Sequence, residues 1–279
     1  MSTDIADDRS VAPSQVPAPL RELFGDRARF VDLYGDPRGA ALYDDIGFSN
    51  TAEIYEILSA LRKRPGPVLE LAAGSGRITI PLLRAHHTVT AVDLAADMLA
   101  ILADRIAALG SSAGSCDLRC ADMVDIDCAP GTFDSVVIAT TSASLLTPEQ
   151  RAEMFTGIAR ALTDDGILLI STVDSADGHG EGDDLDISTV TGSSGTTYRM
   201  HELWPAHADA RHLAVVEIDP ATGEPRDDTE VHLSRVGVVP VATLTDELRS
   251  SGFEVRRERA IRDTAGTRHR YVLLEAALR

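Results

Sequence analysis

Lysine is almost absent from this sequence. Lys63 is the single lysine among 26 basic residues in 279, the rest being arginine, a bias that reads as high-GC coding and carries no mechanism. Cationic charge is scarce as a whole, because 44 acidic residues leave a formal net charge of −18. Such a field repels a phosphate backbone, so no nucleic acid is expected as partner, and it favours a cationic or amine-bearing one. No apolar run is long enough to span a bilayer, and no basic-then-apolar leader opens the chain. The expectation is a cytoplasmic protein with no membrane partner. Cysteine is also scarce. Cys116, Cys120 and Cys128 are odd in number and match no zinc spacing, so no metal site is expected. Cys116 and Cys120 lie four apart on an expected strand, hence on one face, and read as buried thiols. No internal repeat is visible.

What is present is an ordinary globular composition, 44% hydrophobic with a mean hydropathy of −0.03, enough for one large domain or a domain with an insertion. Residues 1–19, rich in Asp, Ser, Ala and Pro (Pro13, Pro17, Pro19), read as a disordered tail. Residues 20–64 show helical spacing broken near Gly35–Asp36–Pro37 and Gly47, which suggests a helical cap. From residue 65 strands and helices alternate. The expected strands are Val68–Ala72, Thr88–Val92, Cys116–Cys120, Phe133–Ala139 and Ile167–Val173. Helices are expected over Ala95–Leu109 and from Pro148 to Leu162, the second opened by Thr147 as cap with Pro148 at the first position. This pace implies parallel β-α units.

After Asp174 the pattern changes. Residues 175–195 read as a mobile loop, followed by strands near Thr197–Trp204, His212–Ile218 and Glu230–Val238, the last two joined across turn residues 219–223. A helix over Val241–Ser250 and strands over Phe253–Ile261 and Arg268–Leu278 complete the chain. The fold class is therefore α/β. It is a Rossmann-like, doubly wound, mostly parallel seven-stranded sheet over 65–174 and 239–279, with an N-terminal helical cap and an antiparallel β insertion over 175–238.

The strongest local signal is Val68-Leu69-Glu70-Leu71-Ala72-Ala73-Gly74-Ser75-Gly76-Arg77. Glycines after a first strand permit a tight turn and close approach to a ligand, and a side chain at Gly74 or Gly76 is expected to intrude on ligand space. A dinucleotide fingerprint needs a third small residue, where this chain has Thr79. Glu70, four positions before the first glycine, gains nothing from an anionic pyrophosphate. It suits a ligand with a sulfonium and an ammonium, as in S-adenosylmethionine. Asp93 ends the second strand, placed to accept ribose hydroxyls, with Leu94 and Met98 following. Asp122 is placed for the adenine amino group with Met123 beside it, or is simply a helix cap. Thr140, Thr141 and Ser142 end the fourth strand at the carboxyl edge that forms the ligand crevice. Arg77 meets the cofactor carboxylate or forms a surface ion pair.

With these residues in view, 68–98 and 133–173 resemble the class I S-adenosylmethionine-dependent methyltransferases. More narrowly, residues 30–278 resemble the N-methyltransferases of glycopeptide-antibiotic assembly and those of daptide-type ribosomal peptide clusters. That narrower match rests on Glu70-Leu71-Ala72-Ala73-Gly74 with Gly76-Arg77, on Tyr43-Asp44-Asp45-Ile46, and on the late hairpin. The usual family glycine is Ala72 here, a small replacement. The resemblance implies S-adenosyl-L-methionine as cofactor and an amine of a peptide natural product as acceptor, in particular its N-terminal amine. An aminosugar or other small metabolite, or a non-enzymatic S-adenosylmethionine-binding role, are the alternatives. It also implies a histidine base on the returning strand of the hairpin, the position matched by His232, with His201 on a neighbouring strand as fallback. Tyr34 and Tyr43 either close over the cofactor or sit in the core. His86 and His87 are expected on the surface of the far rim.

Overall fold

The computed structural model describes residues 10–25, 28–34, 37–48, 50–110, 113–175, 183–206, 209–225, 230–261 and 269–279. His179, His207, the Gly35–Asp36 break and the first nine residues of the tail lie outside them. The elements run α1 Ala18–Phe24, β1 Arg29–Asp32, α2 Pro37–Gly47, α3 Ile54–Leu61, β2 Val68–Leu71, α4 Thr79–Arg84, β3 Val89–Asp93 and α5 Ala96–Leu109. They continue with β4 Cys116–Cys120, β5 Phe133–Ile138, α6 Pro148–Ala161, β6 Leu162–Ser175, β7 Asp184–Thr191, β8 Thr197–Trp204 and β9 Ala210–Glu217. The chain closes with β10 Glu230–Gly237, α7 Val241–Ser250, β11 Phe253–Ala260 and β12 His269–Leu278. It separates into two compact units, one from Asn50–Gly178 with Gly237–Arg279, the other from Met1–Ser49 with His179–Val236.

The larger unit holds a seven-stranded sheet in the order β11-β12-β6-β5-β2-β3-β4. Strands β4, β3, β2, β5 and β6 pair in parallel, while β12 runs antiparallel to both β6 and β11. The sheet is the expected Rossmann-like one. All four residues of β2 are buried, as a strand covered on both faces requires. The chain builds outward from β2 through β3 to β4, then returns to lay β5 on the other side. Its switch point therefore falls between β2 and β5, where ligands enter at the carboxyl ends of the strands. Helix α6 starts as its sequence demands. The Thr147 Oγ1 accepts from the Gln150 N–H at 3.3 Å while the Gln150 Oε1 accepts the Thr147 N–H at 2.9 Å, a reciprocal capping box. Buried Arg151 then forks onto Glu247 of α7, both contacts at 2.6 Å.

The smaller unit holds a five-stranded sheet, β1-β10-β9-β8-β7. Strand β1 pairs in parallel with β10, while β7–β8 and β8–β9 are antiparallel. One face is covered by α1 through a cluster of Val16, Leu20, Phe30, Leu203, Ala214, Val231 and Leu233, with Phe24 and Phe30 edge-on at 5.8 Å.

Five expectations are corrected here. Residues 20–64 are not purely helical, because Phe30 and Val31 belong to a strand whose partner lies at Val231–His232. Residues 184–191 form β7 rather than loop, an edge strand in which no residue is fully buried and Ile187 is exposed. The later part of the tail is ordered, with Val16 in the core and the Val11 N–H donating to the Phe30 carbonyl at 3.0 Å. Cys120 is exposed and Cys116 half-buried, because β4 is the last strand of its sheet. Burial first, and the Glu70 and Asp117 carboxylates second, push the Cys116 thiol up to about 12. It stays a thiol. His86 is exposed as expected, whereas His87 is buried and its pKa lowered by that burial.

Candidate functional site

In the larger unit the glycine turn lies directly after β2. Gly74 and Gly76 have φ of +55° and +95°, values open to glycine without steric cost. They differ in what fixes them. A Cβ on Gly74 meets no atom within 4 Å, so the space before it is open to a ligand. A Cβ on Gly76 falls 2.3 Å from a methyl of Leu102 on α5, so Gly76 serves helix packing rather than ligand space, which corrects the expectation. Ala72, at the usual glycine position, takes φ +56°, a left-handed conformation that costs an L-residue ~1–2 kcal/mol.

Asp93, at the end of β3, holds the turn from the opposite side. Its Oδ2 accepts the Gly74 N–H at 2.7 Å and its Oδ1 accepts the Ala95 N–H at 2.8 Å. Each carboxylate oxygen has a second lone pair for a ligand hydroxyl. Glu70 lies fully inside the sheet, and Thr79 donates its hydroxyl to Glu70 Oε2 at 2.7 Å. The residue that breaks the dinucleotide fingerprint is thus the partner of the buried carboxylate. Burial dominates the Glu70 pKa and pushes it up to about 7, against the opposing pull of the Thr79 hydroxyl and Arg77. A site that holds a carboxylate near its neutral point is primed to ionise beside a cation.

Across the switch point, Thr140 and Thr141 form the turn that follows β5, both at φ +57°. β-branched residues there are true outliers, costing ~1–3 kcal/mol each. Buried Glu53, itself at φ +69°, braces this turn, accepting the Thr140 N–H with both oxygens at 3.1 Å. The Thr141 N–H donates to the Ser171 hydroxyl at 3.0 Å. Arg77 closes the assembly. It pairs with Glu53 and donates to Thr140 Oγ1 at 2.7 Å and to the Ala52 carbonyl at 2.6 Å. The ion pair is buried, not the surface contact that was one of two expectations. Sequence reasoning missed Glu53 altogether, since one carboxylate before a helix carries no pattern. It also missed Arg105, which supports the glycine turn by donating to the Ser75 carbonyl at 2.9 Å.

Asp122 uses its Oδ1 to accept the Val124 N–H at 3.0 Å, so it shapes the turn after β4 rather than capping a regular helix. Met123 packs against the core cluster and Met98 is buried on α5. Leu94, 72% exposed, presents its side chain outward just past Asp93. Two clefts in this unit, of about 440 Å³ beside Ile126 and Arg160 and about 370 Å³ beside Leu58 and His87, are lined by none of the glycine-turn residues.

In the smaller unit the expected catalytic residues part company. Val231 and Leu233 face the α1 cluster, so His232 between them faces the other side of the sheet. His201 faces the α1 side, its ring edge-on to Phe24 at 4.9 Å, and burial lowers its pKa. Tyr34 belongs with His232. Its hydroxyl engages Tyr43 and Ser234, two residues along β10 from His232, and burial of that end raises its pKa well above the phenol range although 43% of the residue is exposed. The rings of Tyr34 and Tyr43 lie 5.3 Å apart. On the same face Arg211 pairs with Glu202 and lies 5.0 Å over the Trp204 ring. Asp45, of the Tyr43-Asp44-Asp45-Ile46 stretch, accepts from Ser193 Oγ, Ser194 N, Ser194 Oγ and Tyr198 OH at 2.6–2.9 Å. It ties α2 to the β7–β8 turn. Burial opposes its charge, but these donors prevail and hold its pKa below the ordinary value.

Among known proteins, residues 68–166 match the model of a methyltransferase domain. The Bacillus subtilis (strain 168) protein YqeM, which carries the name of a methyltransferase, is 28% identical over 234 residues, covering 82% of this chain and 86% of its own. The glycopeptide N-methyltransferase MtfA, solved with S-adenosyl-L-homocysteine, superposes with a TM-score of 0.62 at 26% identity, over 97% of this chain and all of that one. The CcbJ methyltransferase of Streptomyces caelestis superposes with a TM-score of 0.70 at 18% identity, over 91% and 99%, which speaks to the fold. No helix among the described residues is long and apolar enough to cross a membrane.

Proposed function

We propose that this chain, a class I S-adenosylmethionine-dependent methyltransferase, transfers methyl groups to an amine of a peptide natural product, its N-terminal amine in particular. The observation that carries the donor half is the buried Glu70 beneath a glycine turn that Asp93 holds open. The open space before Gly74 and the acidic residues on both sides fit the donor's cationic end. Asp93 would hold the ribose, Glu70 and Gly74 the methionine end, with Gly76 keeping the turn close against α5, and Asp122 with Met123 the adenine. Ala72, Leu94, Met98, Thr140 and Tyr43 would line the remainder. When bound, the donor supplies a methyl group on a sulfonium, with a neutral leaving group.

Alignment and exclusion of water then account for most of the chain's own contribution. A peptide α-amine has a pKa of ~7.7–8.0, so a base helps chiefly to remove the proton that a first methylation leaves behind. His232 is assigned that role, with Tyr34 on the same face to orient the amine. His201 packs its ring on Phe24 on the α1 side of the sheet, the face opposite His232 and Tyr34, and this counts against the fallback. Two features support an amine acceptor: the acidity of the chain, and its 26% identity to a glycopeptide N-methyltransferase. The test is mass spectrometry of peptides with a free N-terminus, encoded beside this gene, after incubation with enzyme and S-adenosylmethionine. Mass gains in whole methyl steps on the α-amine support the reading. Methylation of an aminosugar or other small amine, or S-adenosylmethionine binding with no turnover on any amine, replaces it.

A further inference from the structure

The bracing of the Thr140–Thr141 turn has no counterpart in the motif that marks the donor site, and it lies in the same unit. We infer that Glu53 is a positioning residue for the methionine end of the methyl donor, acting through Arg77 and Thr140. The inference rests on the reading that the glycine turn holds that end of the donor.

The geometry runs in one chain of contacts. Arg77 immediately follows Gly76, so its backbone is the exit of the glycine turn. Its guanidinium reaches away from that turn to Glu53, to Thr140 Oγ1 and to the Ala52 and Asn50 carbonyls. These contacts engage both terminal nitrogens of the side chain. Thr140 lies in the turn after β5, the strand beside β2 at the switch point. Glu53 bonds both partners at once, so one buried carboxylate fixes the distance between the glycine turn and the opposite lip of the crevice. Glu53, Thr140 and Thr141 are three of the five described non-glycine residues with left-handed backbone, and Ala72, at the end of β2, is a fourth. Strain of this kind persists only where surrounding bonds over-determine it, and it gathers at ligand clamps. A carboxylate committed only to burying a loop has no need of three strained residues in contact. Arg77, spent on this brace, orders the turn instead of serving as the carboxylate ligand of the donor.

The consequence is selective. Asp93 bonds Gly74 from the ribose side, so loosening Glu53 disturbs the methionine end and leaves the nucleoside end held. The experiment compares two probes on the full chain by calorimetry: S-adenosyl-L-homocysteine, which has the amino-acid end, and 5′-methylthioadenosine, which lacks it. Glu53→Gln keeps the shape but removes the charge. It is expected to weaken the first probe about tenfold, the size of one charge-assisted hydrogen bond, while the second stays within about twofold. Equal loss for both probes, or no loss for either, overturns the inference. Asp93→Ala serves as the control, because it should weaken both probes. If it weakens neither, the donor-site reading itself fails. Should Glu53→Gln melt below the working temperature, Arg77→Lys keeps the charge and loses the fork. It is to show the same split between the probes, and equal loss for both again overturns the role.

Discussion

The two units obtain their sheets in different ways. Five of the seven strands in the larger unit come from one uninterrupted stretch of chain, Val68 to Ser175, each pairing with a neighbour laid down within two elements of it. The smaller unit joins a four-residue strand near the N-terminus to four strands that follow Ser175. The units differ in charge as well. Acidic residues exceed basic ones by 12 in the 107 residues of the smaller unit, against 6 in the 172 of the larger. The unit that carries His232 and Tyr34 is therefore the more electronegative one, which suits the approach of a protonated amine. The unit with the glycine turn also places two carboxylates, Glu70 and Glu53, in buried positions beside that turn. Diffuse charge attracts; placed charge orients.

The largest effect that would break this division is kinetic. His232→Ala should lower turnover on the acceptor by ~10²–10⁴-fold, with partial recovery at higher pH and with donor affinity kept. Turnover near wild type at pH 7 removes His232 as base, and a loss of donor binding in the same variant denies the two units their separate tasks. Next in size is Asp45→Ala, which strands the Ser193, Ser194 and Tyr198 donors. It should destabilise the smaller unit by ~3 kcal/mol, read by hydrogen exchange across β7 and β8 while exchange in β2 and β5 is unchanged. Because the folded pKa of Asp45 is depressed, its stabilisation is complete above the ordinary carboxylate pKa. It disappears as pH falls through the folded one, so Asp45→Asn should flatten the acid limb of stability.

Smaller effects sharpen the comparison on the donor side. Asp93→Ala should weaken S-adenosylmethionine by ~1.5–3 kcal/mol in calorimetry, and unchanged affinity would remove the ribose assignment. Glu70 runs opposite to Asp45. Its folded pKa is raised to about 7, so the folded state binds the extra proton and stability declines as pH rises from the ordinary glutamate value through 7. Glu70→Gln should abolish that decline, worth ~1–3 kcal/mol at pH 8, as followed by denaturant midpoints. Saturating S-adenosylmethionine should reduce the slope in the wild type, because a cation beside the carboxylate restores its charge.

The same contrast governs what was legible in the sequence. Buried parallel strands such as Val68–Leu71 and Phe133–Ile138 announce themselves as apolar runs, and Thr147-Pro148 with Gln150 announces a helix start. The motif residues Glu70, Gly74 and Asp93 fell where the pattern put them, because strand ends and glycine turns are local facts. β1 was missed for a non-local reason: its partner begins at Glu230, and nothing in Arg29–Asp32 signals it. β7 was missed because an edge strand buries none of its residues fully and so carries no apolar run. Glu53 and Arg105 were missed because their value depends on Thr140 and Ser75, distant in sequence. Sequence alone set His201 beside His232; the alternation of faces on β8 and β10 separates them.

The parallel pairing of β1 with β10 also orders events during synthesis. Arg29–Asp32 emerges early, yet the strand that completes it follows about two hundred residues later, a separation that makes its pairing slow by contact order. All the residues of β2 to β6 leave the ribosome before β10 exists. The nascent chain thus holds an unpaired N-terminal strand, with Phe30 and Val31 awaiting cover, while the parallel strands of the other unit are already out. Chaperone capture of this segment, and aggregation on truncation before Glu230, are the hazards this connectivity carries.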